Sequence, residues 1–404
     1  MRSRYRWTIL AAGTTAQASF SAALIGLPAL APALRTQYDL TLGETGVVLG
    51  AMSLGLLPTL YAWGLLADRI GERAVIMLGL FSGGAVLAFA GFTTSFGPLV
   101  AMLALAGALG ASVNSASGRA VMGWFEEDER GLALGIRQAA VPIGGAIAAL
   151  TLPLLASVGG TKLAFAALGG GVVAGGTVAG VLLREAPRRP QAAAAASRST
   201  LRDGVLWLLA GGSSLYLTAQ IAIASFVVLF LHGHRGLSTH AAAGVLAVVN
   251  VLAIGTRIAA GRWSDRTRTR IAPLRTVGLA LATATVVAAA LVDAPLAVLI
   301  PALIVDGVLG FSWNGLSFTA AAERAGAARS GAALGFQQTT LAVVGAIVPP
   351  TFAALVSATS WRVAFAAAAV GPIAGVLLLR RVPEATPRAA GRLPEMSAIP
   401  PAAR

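Results

Sequence analysis

Long apolar runs, separated by short segments that contain charged residues, proline or glycine, recur along the whole chain. Each run holds about 20 residues, which is the length of helix that crosses the hydrocarbon core of a bilayer. The pattern predicts an all-α membrane protein with twelve transmembrane helices. These are called spans 1 to 12 and are predicted over 8–32, 43–66, 74–92, 96–121, 131–157, 162–183, 204–231, 240–262, 273–292, 294–321, 331–357 and 362–380.

The composition fits a chain whose surface is solvated by lipid. The 404 residues are 56% hydrophobic and 11% charged, whereas a soluble domain carries about a quarter charged residues. Because the chain contains no cysteine, disulfides, thiolate metal sites and cysteine nucleophiles are excluded. No hydrolase or ATPase motif occurs, so we expect neither an enzyme nor a cofactor. His232, His234 and His240 follow span 7 without an acid nearby, and we expect no metal site there.

Basic residues are distributed unevenly between the two ends of the predicted helices. The N-terminus, the loops after spans 2, 4, 6, 8 and 10, and the C-terminal tail hold 23 of the 30 Lys and Arg residues, against four at the opposite ends. Since basic loops stay in the cytoplasm, we expect both termini there and a multi-pass monomer in the cell (plasma or inner) membrane. The net charge of +14 then reflects orientation and contact with the lipid bilayer, and no nucleic-acid partner is expected.

The chain contains two copies of one half. With a shift of 200 residues, 14 of 36 positions are identical between 131–166 and 331–366. The same shift pairs Asn114 with Asn314, and a shift of 203 pairs Gln17 with Gln220. Two such halves, related about the membrane normal, enclose a cavity on their axis. We expect a six-helix bundle over 1–183, a cytoplasmic linker over 184–203, a second six-helix bundle over 204–381 and a disordered cytoplasmic tail over 382–404.

The segment GLLADRIGER (64–73), between spans 2 and 3, resembles the signature of the major facilitator superfamily. A weaker copy, GRWSDRTRTR (261–270), stands between spans 8 and 9 and lacks the glycine after Asp-Arg. The resemblance covers nearly the whole chain and implies a secondary transporter that works by alternating access. It further implies that spans 1, 4, 7 and 10 line the cavity, that span 2 lies beside span 11, and that span 5 lies beside span 8.

The two signature segments supply candidate gating residues. A carboxylate beside the N-terminus of a neighbouring helix is stabilised by up to ~2 kcal/mol when partly buried. The helix arrangement implied by the resemblance puts Asp68 beside the start of span 11 and Asp265 beside that of span 5, where they would latch the cytoplasmic side shut. Arg69, Arg119 and Arg266 belong to the same predicted gate. The alternative is that these charges serve orientation alone.

Polar residues stand on all four spans that the resemblance assigns to the cavity. We expect them to contact a small-molecule substrate, and the alternative is hydrogen bonding between helices. They are Gln17, Asn114, Gln220 and Asn314, with Tyr216 and Trp313 as aromatic neighbours.

Four charged residues lie inside spans, and they carry more information. Asp306 is acidic where its repeat mate, Ala106, is apolar, so we predict a proton carrier, because desolvation favours the protonated carboxyl. Its alternative role is to pair with an arginine. Arg137 and Arg257 are predicted to approach one cleft between the halves, where their forked donors suit an oxyanion.

Two short stretches resemble regions of anion transporters within the superfamily. The stretch RIAAGRWSD (257–265) is similar to a span-8 region of oxalate/formate and monocarboxylate transporters, and ERGLALGIRQA (129–139) resembles nitrate/nitrite and cyanate porters. The resemblance implies that Arg257 binds a carboxylate. The alternatives are that Arg137 snorkels to the membrane surface and that Arg257 pairs with an acid.

Three functions are compatible with these features. The first is a secondary transporter that is proton-coupled or exchanges a small organic or inorganic anion. The second is a drug/proton antiporter of the same fold, and the third is a sensor or scaffold that does not transport. Three arginines against one aspartate inside spans favour an anionic substrate.

Overall fold

A computed structural model describes residues 2–125, 129–185, 202–326 and 329–384, and these residues form helices joined by short turns. In the N-terminal half, span 1 joins helix Arg2–Gly26, a 3-10 turn Leu27–Leu30 and helix Ala31–Tyr38. Span 2 is Leu42–Ile70, span 3 is Glu72–Ala90, and span 4 is Phe96–Trp124. Spans 5 and 6 lie within one helical stretch, Arg130–Leu182.

The C-terminal half repeats this order. Span 7 is Gly204–Leu229 followed by a π-helical turn Phe230–His234, and span 8 is Thr239–Thr267. Span 9 is Ile271–Ala290, and span 10 is built from Leu296–Ser312 and Asn314–Ala325. Span 11 is Ser330–Ala358, and span 12 joins Trp361–Ala368 to Val370–Leu379.

The prediction of twelve spans is confirmed. Eleven helical stretches of the described chain are long and apolar enough to cross a membrane, and the longest covers 51 residues. That stretch bends back at Gly159 and Gly160, where φ of Gly160 is +69°, a backbone conformation that glycine adopts without steric cost. It therefore supplies two spans. Span 1 runs to Tyr38, beyond the predicted end at 32, because Pro28 and Pro32 occupy first-turn positions of the segments that follow them, where proline is tolerated.

The most extensive contacts between the halves are two antiparallel helix pairs, span 2 with span 11 and span 5 with span 8. Gly46 lies directly against Pro349 and Pro350, and Gly145 lies against the side chain of Asn250. Because a Cβ at Gly46 would come within 2.6 Å of the Pro349 carbonyl oxygen, only glycine permits this approach.

Both signature segments lie at one end of the bundle, which we call the signature end. There the side chain of Glu185, directly after span 6, accepts hydrogen bonds from the amides of Glu72 (3.2 Å) and Arg73 (3.0 Å), at the start of span 3. Glu384, after span 12, accepts from three amides at the start of span 9, those of Arg270, Ile271 and Ala272. Each half thus closes its signature loop with the carboxylate that follows its last span.

Most of the predicted linker and tail fall on residues 186–201 and 385–404, outside the described residues. The first residues of the predicted tail do belong to the folded part. Val382 is buried, and Glu384 is bound as described above.

Candidate functional site

The first polar cluster joins spans 1, 4 and 5 of the N-terminal half. Arg137 donates from Nη2 to Oε1 of Gln17 at 3.0 Å and from Nε to Oγ of Ser117 at 2.8 Å. Gln17 in turn donates from Nε2 to Oδ1 of Asn114 at 2.9 Å. The structure therefore brings together three of the residues predicted to bind substrate, and Arg137 is held inward by neutral oxygen atoms.

The second cluster joins spans 8 and 10 of the C-terminal half. Arg257 donates from Nη2 to Oδ1 of Asn314 at 2.8 Å and from Nε to the backbone carbonyl of Phe311 at 2.8 Å. Span 10 is interrupted at Trp313, between these two acceptors. The structure therefore brings together two more of the residues predicted to bind substrate, Arg257 and Asn314.

Gln138, on span 5, connects the two clusters. Its side-chain oxygen Oε1 accepts from Nη1 of Arg137 at 3.3 Å. Its backbone carbonyl accepts from Nη1 of Arg257 at 2.5 Å. One residue therefore touches both guanidinium groups, one from each half of the protein.

Both arginines are buried, with 8% of Arg137 and 9% of Arg257 exposed. Within the described parts of the chain, neither guanidinium forms an ion pair with a carboxylate. Their acceptors are carbonyl, amide and hydroxyl oxygens. Burying an ion without a counter-charge costs several kcal/mol. A bound anion would supply the negative charge that this arrangement lacks.

The repeat gives an internal control for Arg137. Gln337 occupies the equivalent position on span 11 and donates from Nε2 to Oγ of Ser317 and, at 3.2 Å, to Oγ of Ser213. Ser317 is the repeat mate of Ser117, which binds Arg137. The same packing is therefore built with a neutral side chain in the other half, and the charge of Arg137 is not required for it.

The remaining predicted substrate contacts lie inside the C-terminal bundle. The ring of Tyr216 packs against Gly278 and Gly375, and its hydroxyl donates to the carbonyl of Leu274 at 3.3 Å. Trp313 meets it edge to face with ring centroids 5.8 Å apart, and neither ring is exposed. Gln220 lies against Gly310 of span 10, and its Oε1 is buried without a hydrogen-bond partner among the described residues.

Asp306 is completely buried between spans 9 and 10. Its Oδ1 accepts from Oγ1 of Thr285 at 2.7 Å, and its Oδ2 has no hydrogen-bond partner in the described structure. Among the described residues no arginine forms an ion pair with Asp306, which was its alternative predicted role. A carboxyl group held by a single hydroxyl in apolar surroundings is unfavourable in its charged form.

The predicted gating residues lie at the signature end. Asp68, Arg69, Asp265 and Arg266 are exposed, and the side chain of Arg119 falls outside the described residues. Asp265 pairs with Arg270 at 2.6 Å, and Arg270 also pairs with Glu323 at 2.8 Å. In this conformation Asp265 is thus bound within its own half.

Sequence reasoning did not select Gln138, Ser117 or Asn250. Gln138 was visible as the position kept as glutamine in both halves, Gln138 and Gln338, but its role depends on a backbone carbonyl that no sequence pattern reveals. Asn250 lies seven residues before Arg257 on span 8 and therefore on the same helix face. It is fully buried, and its Oδ1 has no hydrogen-bond partner among the described residues.

Sequence comparisons find transporters among the proteins that are similar to this chain. The family model described as Major Facilitator Superfamily matches residues 11–349. A protein of Mycobacterium tuberculosis named Uncharacterized MFS-type transporter Rv2994 is 34% identical over 378 residues, which cover 93% of this chain and 84% of that protein.

Shorter matches join the chain to two transporters with named substrates. The hexuronate transporter of Bacillus subtilis is 29% identical over 136 residues, which cover 32% of this chain and 31% of that protein. The probable sulfoacetate transporter SauU of Cupriavidus necator is 26% identical over 145 residues, which cover 36% of this chain and 34% of that protein.

Solved structures share the fold over the length of the chain. A D-xylose-proton symporter has a TM-score of 0.76 at 17% identity, covering 94% of this chain and 98% of that one. A bacterial homologue of the human lysosomal transporter Spinster, in an inward-facing and unoccupied conformation, has a TM-score of 0.73 at 18% identity, covering 93% and 95%.

Proposed function

Since this chain belongs to the Major Facilitator Superfamily, whose model matches residues 11–349, we propose that it is a secondary transporter of a small anion. A single observation supports an anionic substrate. Arg137 and Arg257 are buried, come from different halves, touch the same residue, Gln138, and have no acid partner in the described structure. An oxyanion between them would neutralise both and accept from their forked donors.

Alternating access follows from the division of the site between the halves. Each half supplies one cation, so an anion gains from both only while the two clusters stand together, and its binding favours conformations that keep them close. Contacts between the halves run from Gln138 and Arg257 toward the end opposite the signature loops, where Gly46 and Gly145 are tightly packed. This arrangement suits a transporter closed at the opposite end.

The direction of opening depends on which side the signature end faces. Its loops carry most of the basic residues, and we place it in the cytoplasm by the positive-inside rule. The conformation is then inward-facing. Asp265, which pairs with Arg270 here, acts in the other conformation, in which the start of span 5 comes within reach of its carboxylate.

The relatives with named substrates support an anionic substrate. Hexuronate and sulfoacetate, the substrates in the names of two similar proteins, both carry negative charge. Each match covers about a third of the chain. The arginine pair supports a negatively charged substrate independently of these two relatives.

Asp306 is the residue that we assign to proton coupling. It is fully buried, binds only Thr285 among the described residues, and lies on span 10, the helix whose carbonyl and amide oxygens hold Arg257. Protonation removes the charge that its surroundings do not balance. A change in its protonation would therefore change the packing of span 10 and the position of Arg257.

Transport by purified protein in liposomes tests the proposal. Internal radiolabelled anion should exchange with external anion for at least one member of a panel of small carboxylates, sugar acids, sulfonates, nitrate and cyanate. Arg137→Gln and Arg257→Gln should abolish that exchange, whereas Arg380→Gln, which removes an exposed arginine at the end of span 12, should not. Exchange of lipophilic cations alone, or of no compound at all, would contradict the proposal.

A further inference from the structure

The face of span 8 that points away from Arg257 carries a second set of arginines. Residues seven apart on a helix share a face, and Asn250, Arg257 and Ser264 form one such buried line. Arg262 and Arg266 lie about half a turn of rotation away from that line and are exposed. Span 8 is therefore cationic on two opposite faces, one toward the protein interior and one toward the outside of the bundle.

A shallow cavity of about 500 Å³ occupies this outer face near the signature end. Its described lining is Gly255, Ile258, Ala259, Arg262, Trp263 and Arg266. The lining is apolar toward the middle of the helix and cationic at its end. From Gly255 to Arg266 it extends about 16 Å along the helix axis, at 1.5 Å per residue.

This order of residues matches the order of groups in a phospholipid. Ile258 is 51% exposed and Trp263 is 39% exposed, and tryptophan prefers the level of the lipid head groups in a membrane. Arg262 and Arg266, four residues apart, flank Trp263 at that level. Asp265, the nearest acid along the chain, is paired with Arg270 at 2.6 Å, so it does not neutralise the charge of the two arginines.

From this arrangement we infer that the outer face of span 8 binds one anionic phospholipid in the leaflet at the signature end. The phosphate and any further acidic group of the head group lie between Arg262 and Arg266, and an acyl chain lies along Gly255, Ile258 and Ala259. Basic clusters at the cytoplasmic ends of transmembrane helices attract anionic lipids.

The equivalent face in the other half does not offer this site. With the shift of 197 that aligns the signature segments, Arg262 and Trp263 correspond to Leu65 and Leu66, and only Arg266 has a basic mate, Arg69. The bound lipid would therefore be specific to the C-terminal half. Because span 8 is one helix, the lipid would hold the same rigid element that carries Arg257.

Native mass spectrometry of the purified full-length protein, titrated with phosphatidylglycerol or phosphatidylcholine, tests the inference without requiring transport. Wild-type protein should retain one phosphatidylglycerol more tightly than phosphatidylcholine. R262Q/R266Q should bind it about tenfold more weakly, with unchanged phosphatidylcholine binding, and R262K/R266K should keep most of the difference. R380Q/R381Q, which removes two exposed arginines at the same end, serves as the control and should bind like wild type.

Three results would overturn the inference. One is wild-type phosphatidylglycerol binding by R262Q/R266Q. Another is an equal loss in R380Q/R381Q, which would mean that net charge and not this site attracts the lipid. The third is displacement of the bound lipid by millimolar glycerol 3-phosphate, which would identify a soluble phosphate ligand instead. An unchanged unfolding temperature of R262Q/R266Q confirms that its fold is intact.

Discussion

Nη1 of Arg257 donates a hydrogen bond of 2.5 Å to the backbone carbonyl of Gln138, across the interface between the two halves. Span 8 thus holds span 5 at the level of the candidate anion site. The side-chain Oε1 of Gln138 also accepts a hydrogen bond from Nη1 of Arg137 at 3.3 Å. A change at either arginine therefore affects the contact between the halves. Anion binding, proton coupling and the conformational equilibrium can each be tested by substitutions around this contact.

Arg257→Lys should keep the positive charge but lose the several hydrogen bonds that the guanidinium group donates at once. A lysine ammonium cannot reach Phe311, Asn314 and Gln138 at once, as Arg257 does. Loss of one charge-assisted hydrogen bond, worth about 1.5–3 kcal/mol, should raise the KM for anion exchange by at least about tenfold. Arg362→Lys, at an exposed arginine paired with Asp293, is the matched control. An unaltered KM for Arg257→Lys would remove Arg257 from the binding site.

Arg137→Gln should fold normally and fail to transport. Gln337 shows that glutamine forms the equivalent contact with Ser317 in the other half, so the unfolding temperature should change by no more than a few degrees. Anion binding should weaken because one of the two cations is missing. Tryptophan fluorescence titration with the transported anion measures this. A large loss of stability would instead make Arg137 a structural residue.

Asp306→Asn should uncouple transport from the proton gradient while anion exchange continues. Asparagine keeps the size of the side chain and a hydrogen bond with Thr285 but cannot bind or release a proton. Accumulation driven by an imposed pH gradient should therefore disappear in liposomes, and exchange at equal pH should persist. Asp293→Asn, at an exposed acid near the opposite end, should leave both activities intact. Retained pH-driven accumulation in Asp306→Asn would assign coupling to another group.

Glu185→Gln and Glu384→Gln should weaken the signature end to different degrees. Each replaces a carboxylate that caps the start of a helix with a neutral amide, at a cost of about 0.5–2 kcal/mol. Glu384 accepts from three backbone amides and Glu185 from two, so the loss of unfolding temperature should be larger for Glu384→Gln. Thermal unfolding of the two purified variants in one detergent gives the comparison, and the reverse order would contradict it.

Gly46→Ala should open the end of the bundle opposite the signature loops. The added methyl group would meet Pro349, Pro350 and Ala353 at 2.6–2.9 Å, so spans 2 and 11 must separate there. Gly335→Ala is the control, because a methyl group at that position meets no atom within 4 Å.

Thiol labelling can measure this opening, since the chain contains no cysteine. A single cysteine placed at Thr351, on the exposed face of span 11 near Gly46, and one at a partner position on span 2 can carry a pair of spin labels. Their distance should lengthen in Gly46→Ala and stay unchanged in Gly335→Ala. Equal distances in all three proteins would show that this contact does not set the equilibrium.

The sequence by itself determined the number of spans, the division into halves and the set of polar residues worth following. These depend on local properties. The length of an apolar run must match the bilayer, and the identity of residues such as Gln17 and Gln220 reveals a repeat without any knowledge of packing. The resemblance of GLLADRIGER to a family signature, confirmed by the match over 11–349, added the arrangement of the helices.

Only the tertiary structure decided which polar residues meet. Gln17, Asn114 and Gln220 look alike in the sequence, yet Gln17 accepts from Arg137 and donates to Asn114, while Gln220 packs against Gly310. The rotation of each helix and the direction of each side chain decide this, and both depend on neighbours far away along the chain. The bond from Arg257 to the carbonyl of Gln138 shows the reason most directly. Every residue has a backbone carbonyl, and only packing determines which carbonyl receives a buried guanidinium.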